Sequence, residues 1–66
     1  MKVWLNGECV ESRGASNIEE LARRLGFEPN SVLIEHNGLA LHSREWSDRR
    51  VAENDRIEFV RVVAGG

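Results

Sequence analysis

Val63-Ala64-Gly65-Gly66 closes the 66-residue sequence, and it is here that residue types suited to chemistry gather. Glycine loses the most conformational freedom on folding and packs nothing, so as structure a Gly-Gly end reads only as a frayed terminus. As chemistry it has a use. Without Cβ atoms, the segment can pass a narrow channel and let another protein's backbone come close. Four extended residues reach about 13–14 Å at most, enough to carry a terminal group into a partner's active site while the folded body stays outside. The expected terminal group is a free α-carboxylate on Gly66. With a pKa of roughly 3.5 it is ionised at neutral pH and is a poor electrophile. It must be activated, and adenylation by ATP is the usual chemistry. Gly66 is therefore the candidate reactive centre. Gly65, Ala64, Val63 and Val62 are the candidate residues that enter the partner's site.

Other residue types offer less. Cys9 is the one cysteine, so no internal disulfide can form. Nothing near it in sequence would lower its pKa, and it reads as a small strand residue. Cys9, His36 and His42 are scattered without ligand spacing, so no metal site is expected. The histidines read as strand-end or loop residues, and Arg49-Arg50 as solvated surface. The acidic residues form no pair that sequence can place around a substrate. Trp4 and Val60 are more suggestive. Trp4 falls on the face opposite Val3 and Leu5, and Val60 on the face opposite Ile57 and Phe59. If the first and last strands adjoin, the two can share an exposed apolar patch beside the tail, and such patches often mark partner sites. The alternatives are packing under loops or in a homodimer.

The elements that must position these residues follow from periodicity. Val3 and Leu5 alternate with polar or outward residues, the signature of a strand with one buried face. Asn6-Gly7 is a strong hairpin turn, and Glu8 to Arg13 can run back, with Val10 and Ser12 on one face and Gly14 ending the strand. Ser16 or Asn17 can cap a helix whose buried face is Ile18, Leu21, Ala22 and Leu25. Glu19 and Glu20 near its start and Arg23 and Arg24 near its end suit the helix dipole. Gly26 stands at the C′ position, and Pro29 keeps the helix from resuming. Ser31 to His36 reads as an interior strand, Asn37-Gly38 as a second hairpin turn, and Leu39 to Leu41 as a short return. Ser43 to Trp46 can make a single turn that folds Trp46 onto the core. Asn54-Asp55 is a turn, and Ile57, Phe59 and Arg61 alternate in a last strand.

A hairpin cannot hide its apolar face alone, but one amphipathic helix can cover it, and later strands can widen the sheet under the same helix. The predicted class is α+β: a β-grasp with a mixed sheet of four or five strands curled around one helix, the first and last strands side by side at its centre. The expected division is a domain over residues 1–62 and a flexible tail over 63–66. A domain this small buries only about 60% of its unfolded-chain surface and has little room for a cavity enclosing a substrate, typically about 300–1,000 Å³. A binding or carrier module is expected rather than an independent enzyme. The net charge of −2 lacks the basic excess that nucleic-acid binding requires. Apolar runs are far shorter than the ~20 residues of a membrane span. The start shows no signal-peptide pattern, so the cytoplasm is the expected compartment.

Taken in order, Met1-Lys2-Val3-Trp4-Leu5-Asn6-Gly7-Glu8, Ile18-Glu19-Glu20-Leu21, Asn37-Gly38, Arg44-Glu45-Trp46, Asp55-Arg56-Ile57-Glu58-Phe59-Val60 and Val63-Ala64-Gly65-Gly66 resemble the ThiS family over its whole short length. These are the ubiquitin-like sulfur carrier proteins of thiamine (thiazole) biosynthesis. Two positions depart from the family's habit: Asn54 where glycine is frequent, and His42 where proline is frequent. Neither touches the tail. The resemblance implies that an adenylating enzyme of the ubiquitin-activating type, using ATP and magnesium, converts the Gly66 carboxylate to an acyl-adenylate. A persulfide donor then replaces the adenylate, leaving a thiocarboxylate whose sulfur goes to thiazole synthase. On that reading the chain is a co-substrate that binds no cofactor tightly. The alternatives are a carrier for molybdopterin or another sulfur pathway, a ubiquitin-like modifier of lysines, and a β-grasp interaction module with an inert tail.

Overall fold

The expected alternation at Val3 and Leu5 produces β1 (Lys2–Leu5), and the Asn6-Gly7 turn returns the chain as β2 (Glu8–Glu11). Both turn residues have positive φ, 49° and 82°, as a tight two-residue hairpin requires. The computed structural model describes residues 1–61. The expected boundary at 62/63 and the tail lie outside the described residues. β2 stops at Glu11 instead of running to Arg13, because Arg13 and Gly14 take φ of 57° and 77° and turn the chain. Ser12, just past the strand, is fully buried.

Helix α1 covers Ile18–Arg24, and Asn17 rather than Ser16 is its cap: the Asn17 side-chain oxygen accepts from the Glu20 N–H at 2.8 Å. Ser16 contributes differently, donating both its N–H and its hydroxyl to the Glu20 carboxylate at 3.0 and 3.1 Å. With the Arg24 guanidinium adding to them, these bonds hold the Glu20 carboxyl below its usual range. Arg23 and Arg24 pair with Glu19 and Glu20 one turn earlier. At the far end, the N–H groups of Gly26 and Phe27 close onto the carbonyls of Arg23 and Ala22. That is a Schellman ending, with Gly26 at φ 81° where a side chain would be strained.

β3 (Val32–His36) and β4 (Leu39–Leu41) form the second hairpin through Asn37-Gly38. β3 begins one residue later than expected, since the Ser31 N–H closes a turn on the Glu28 carbonyl. A 3₁₀ helix then spans Ser43–Asp48, longer than a single turn. Glu45 helps to start it by accepting from the His42 N–H at 2.8 Å. β5 (Arg56–Arg61) follows. The sheet has five strands in the order β2-β1-β5-β3-β4. β5 runs parallel to β1 and antiparallel to β3, so the sheet is mixed and the first and last strands adjoin at its centre as expected.

One face of this sheet is covered by α1 and the 3₁₀ helix. Val3, Ile34, Leu41, Ile57 and Phe59 meet Ile18, Leu21, Ala22 and Trp46 in a single apolar core. Phe27 closes one end of it, its ring stacked on Phe59 with centroids 4.2 Å apart. The guanidinium of Arg61 lies 5.9 Å over the Phe27 ring. No helix among the described residues is long and apolar enough to cross a membrane.

Candidate functional site

β5 leads toward the candidate reactive centre, and the protein secures it unusually well. Backbone bonds tie it to β1 at Trp4 N–H to Asp55 O and Asn6 N–H to Ile57 O, 2.8 and 2.9 Å. β1 ends there, but the Asn6 side chain carries the ladder one rung further. Its Oδ1 accepts from the Phe59 N–H at 2.8 Å, and its Nδ2 donates to the Phe59 carbonyl at 3.4 Å. On the other side of β5, Asn37 does the same at the strand's start: its Oδ1 accepts from the Arg56 N–H at 2.8 Å, and its N–H donates to the Arg56 carbonyl at 2.7 Å. Each hairpin asparagine thus serves twice, as a positive-φ turn residue and as a side-chain clamp on the central strand. Asn6→Gly separates the two roles, because glycine keeps the turn and loses the clamp. A stability loss of about 1–2 kcal/mol is expected from the unpaired Phe59 N–H. Asn6→Asp, which retains an acceptor, should lose less. Urea melts together with hydrogen exchange at Phe59 check this, and unchanged Phe59 protection in Asn6→Gly would remove the clamp.

The face of the sheet away from α1 has no covering element among the described residues. Trp4 and Val60 are both exposed on it, at 42% and 57%, and the register sets them apart along the sheet. The register sets Trp4 opposite Arg56 on one side and Cys9 on the other, while Val60 stands opposite Leu33. Val60 is therefore four residues further along β5 than Trp4's partner, about 13 Å at a strand's rise. The apolar neighbour of Val60 is Leu33, 60% exposed, which sequence reasoning passed over. Its signal was present in the sequence: Leu33 alternates with Val32 and Ile34, so one of the three apolar residues had to face outward.

Beside Leu33 and Val60 the same face carries Glu35 directly opposite Glu58. Cys9 is exposed next to Trp4, and His42 is exposed ahead of the 3₁₀ helix. Arg50 is exposed as expected, whereas Arg49 is half-buried. Val62, Val63, Ala64, Gly65 and Gly66 lie outside the described residues.

A second cluster of titratable groups is buried at the junction of β3, β5 and the chain leaving the 3₁₀ helix. His36 ends β3, the strand-end place its sequence position suggested, and it is only 5% exposed. An Arg49 guanidinium nitrogen lies 3.2 Å from its Nδ1. A guanidinium can only donate, so Nδ1 accepts and the Nε2 proton is donated to Asp55 Oδ2 at 2.7 Å. The Ala52 N–H and the Asn37 amide complete the bonds to Asp55. Burial pushes the Asp55 carboxyl upward, but the bonds from His36, Ala52 and Asn37 outweigh it and hold its pKa below the usual 3.8. The ring and carboxylate are consumed by the fold, which leaves this cluster a structural tie. No group of three or more side chains able to hold a metal occurs among the described residues. A surface groove of about 260 Å³ is polar and lined by Ser16, Asn17, Ser47, Asp48 and Arg50, beside the start of α1 rather than on the uncovered sheet face.

Comparison with known proteins agrees with this architecture. The crystal structure of the thiamine biosynthesis protein ThiS from Geobacter metallireducens superposes with a TM-score of 0.82 at 29% identity, covering 100% of both chains. The sulfur carrier protein ThiS of Thermus thermophilus is 33% identical over 64 residues, 97% of this chain and 98% of that protein. A thiazole synthase of Magnetococcus marinus is 33% identical over 66 residues, all of this chain but only 20% of that protein, so the chain spans about a fifth of its length. An uncharacterized protein, ycf40, of Trieres chinensis is 25% identical over 63 residues, 96% of this chain and 86% of that protein. The family model for ThiS matches residues 3–66. A β-grasp whose sequence follows that model from β1 through Gly66 belongs to the ThiS family.

Proposed function

We propose that this chain carries sulfur for thiazole formation in thiamine biosynthesis, as a thiocarboxylate on Gly66. The observation that carries the reading is the family match, which continues past β5 to Gly66 itself. The central placement of β5 supports it, since that strand is held from both sides and leads toward the tail. The Magnetococcus relative supports thiazole synthase as the sulfur acceptor, because a segment similar to this chain occupies one fifth of a protein bearing that name.

In this mechanism the Gly66 carboxylate attacks the α-phosphorus of ATP in an adenylating enzyme of the ubiquitin-activating type. Magnesium, held with the nucleotide by that enzyme, offsets the phosphate charge, and pyrophosphate leaves. The resulting acyl-adenylate is a good electrophile. The terminal sulfur of a persulfide attacks its carbonyl carbon and AMP leaves, giving an acyl disulfide. A thiol then cleaves the sulfur–sulfur bond, releasing the thiocarboxylate and becoming a disulfide. Thiazole synthase takes the sulfur and returns the carboxylate. The chain is consumed and regenerated as a co-substrate, without chemistry of its own and without a tightly bound cofactor. Such ATP-dependent charging belongs to the cytoplasm. Val62 to Gly65 serve as the slender approach.

Intact mass spectrometry tests the reading after incubation with ATP, magnesium, the host's adenylating enzyme and a persulfide source. The expected result is a mass gain equal to one oxygen-to-sulfur exchange, lost when Gly66 is deleted. A protein that forms neither adenylate nor thiocarboxylate with any adenylating enzyme of its host would overturn it.

A further inference from the structure

Of the nine Lys and Arg residues in the sequence, Lys2 alone is a lysine. The bias matters for a chain that passes through an acyl-adenylate and an acyl disulfide, both electrophilic at the Gly66 carbonyl. An amine that attacks there gives an amide, and the chain is lost to further charging. A guanidinium stays protonated and is no such nucleophile. Thiol and imidazole groups, as on the exposed Cys9 and His42, form acyl links that thiols and water remove again. Amines are therefore the lasting hazard.

The fold holds its amines away from the tail. β1 and β5 run parallel with Trp4 beside Arg56, and the Asn54 N–H donates to the Lys2 carbonyl at 2.7 Å. Lys2 is thus level with Asn54, and Arg61 lies further along by roughly 23 Å at a strand's rise. Residues 62 to 66 span about 18 Å at most and fall short of it. The Met1 ammonium is at that far end too, 2.6 Å from Glu11 Oε1. The bond to Glu11 raises its pKa and so keeps it protonated.

At the tail's end of the sheet the cations are arginines. Arg61, the last residue of β5, holds its guanidinium 5.9 Å over the Phe27 ring, and Arg23 lines a groove with Phe27. Lysine can sit over an aromatic ring as well, so packing alone does not call for arginine at position 61. We infer that the chain keeps amines out of reach of its own activated tail, with Arg61 supplying the charge there without the nucleophile. This inference rests on the function proposed above. An amine at position 61 would be tethered to the reacting carbonyl through the tail, at an effective concentration of the order of millimolar. Its attack closes a ring. The nitrogen bonds to the Gly66 carbonyl carbon, the bond from that carbon to the adenylate oxygen or to sulfur breaks, and the amine proton passes to water.

The test uses the full chain bearing a chemically installed thioester on Gly66, in dilute solution, so that it runs without any adenylating enzyme. Wild type is compared with Arg61→Lys, with Arg61→Gln, and with Arg13→Lys, which lies just past Glu11, the partner of Lys2 at the far end of the sheet. Arg61→Lys is expected to lose its thioester several-fold faster than wild type. Its product should be lighter than the free carboxylate by one water, with the new amide mapped between position 61 and Gly66. Wild type, Arg61→Gln and Arg13→Lys should only hydrolyse, at similar rates. A wild-type thermal midpoint in Arg61→Lys separates this chemistry from a structural need for arginine. An Arg61→Lys thioester as long-lived as the wild type's overturns the inference, and so does amide formation at Lys2 or Met1 in the wild type. Charging with ATP and the host's adenylating enzyme reads the proposed function separately. A wild type that is never adenylated removes that function, whereas an Arg61→Lys chain that is adenylated and reaches the thiocarboxylate without forming the amide removes only the inference.

Discussion

Trp46→Ala is expected to leave the protein largely unfolded at 25 °C. Trp46 is 2% exposed and is the largest of the fully buried side chains. It belongs to the 3₁₀ helix and shares one apolar core with Leu21 and Ala22 of α1, against which Phe27 also packs. Truncating a buried Phe or Trp to alanine costs about 3–5 kcal/mol. A single core of this size supplies only about 3–5 kcal/mol in all, so the loss is comparable to the whole. The surroundings cannot collapse into the space, because Ala22 and Leu21 are fixed by a helix capped at both ends. Trp46→Phe should be far milder. It keeps most of the ring, and the indole N–H it removes has no hydrogen-bond partner among the described residues. Urea titration by circular dichroism checks both. A Trp46→Ala midpoint near the wild-type value would show that the 3₁₀ helix is peripheral to the core.

Gly65→Val should abolish charging while leaving the fold untouched. Position 65 follows the last strand in sequence, and the thermal midpoint is expected to stay within error. In the proposed mechanism the same position must let the enzyme's backbone close around the chain beside the reacting carboxylate. A branched side chain there displaces the carboxylate from ATP, and a misplacement of about 1 Å can cost roughly a hundredfold in rate. The expected outcome is a drop of that order in kcat/KM for adenylation, with Gly65→Ala intermediate. Pyrophosphate exchange measures it. Full activity in Gly65→Val would show that the tail is bound loosely and that the diglycine is not a steric requirement.

The elements were legible where the determinants are local. Period two at Val3 and Leu5, the two Asn-Gly turns and the spacing of Ile18, Leu21, Ala22 and Leu25 each need only neighbours along the chain to act. What depended on distant partners was not legible. No local signal says that Asn6 will reach Phe59, because the contact exists only after β5 has been laid beside β1. The spacing of Trp4 and Val60 along the sheet was not legible for a related reason. Two strands joined by the rest of the chain have their register fixed by tertiary packing, not by a turn, and the outcome set Val60 against Leu33. The burial of His36 at the end of β3 was not legible for the same cause: its carboxylate partner, Asp55, and its guanidinium partner, Arg49, come from segments that sequence pattern left almost structureless. At the candidate site, the tail announced itself by composition. The surface beside it needed the β3–β5 register before Glu35 and Glu58 could be seen as a pair.

The central seat of β5 bears on how this protein is made. The strand joins partners as far as 53 positions away in sequence, and within the sheet it alone links the two hairpins. Contacts of such long range form late in folding, so the ladder that steadies the approach to Gly66 is among the last things assembled. A nascent or damaged chain would offer the same diglycine with no framework behind it. On the proposed function, an enzyme that grips β5 as well as the tail would charge only finished molecules and would commit no sulfur to chains destined for proteolysis.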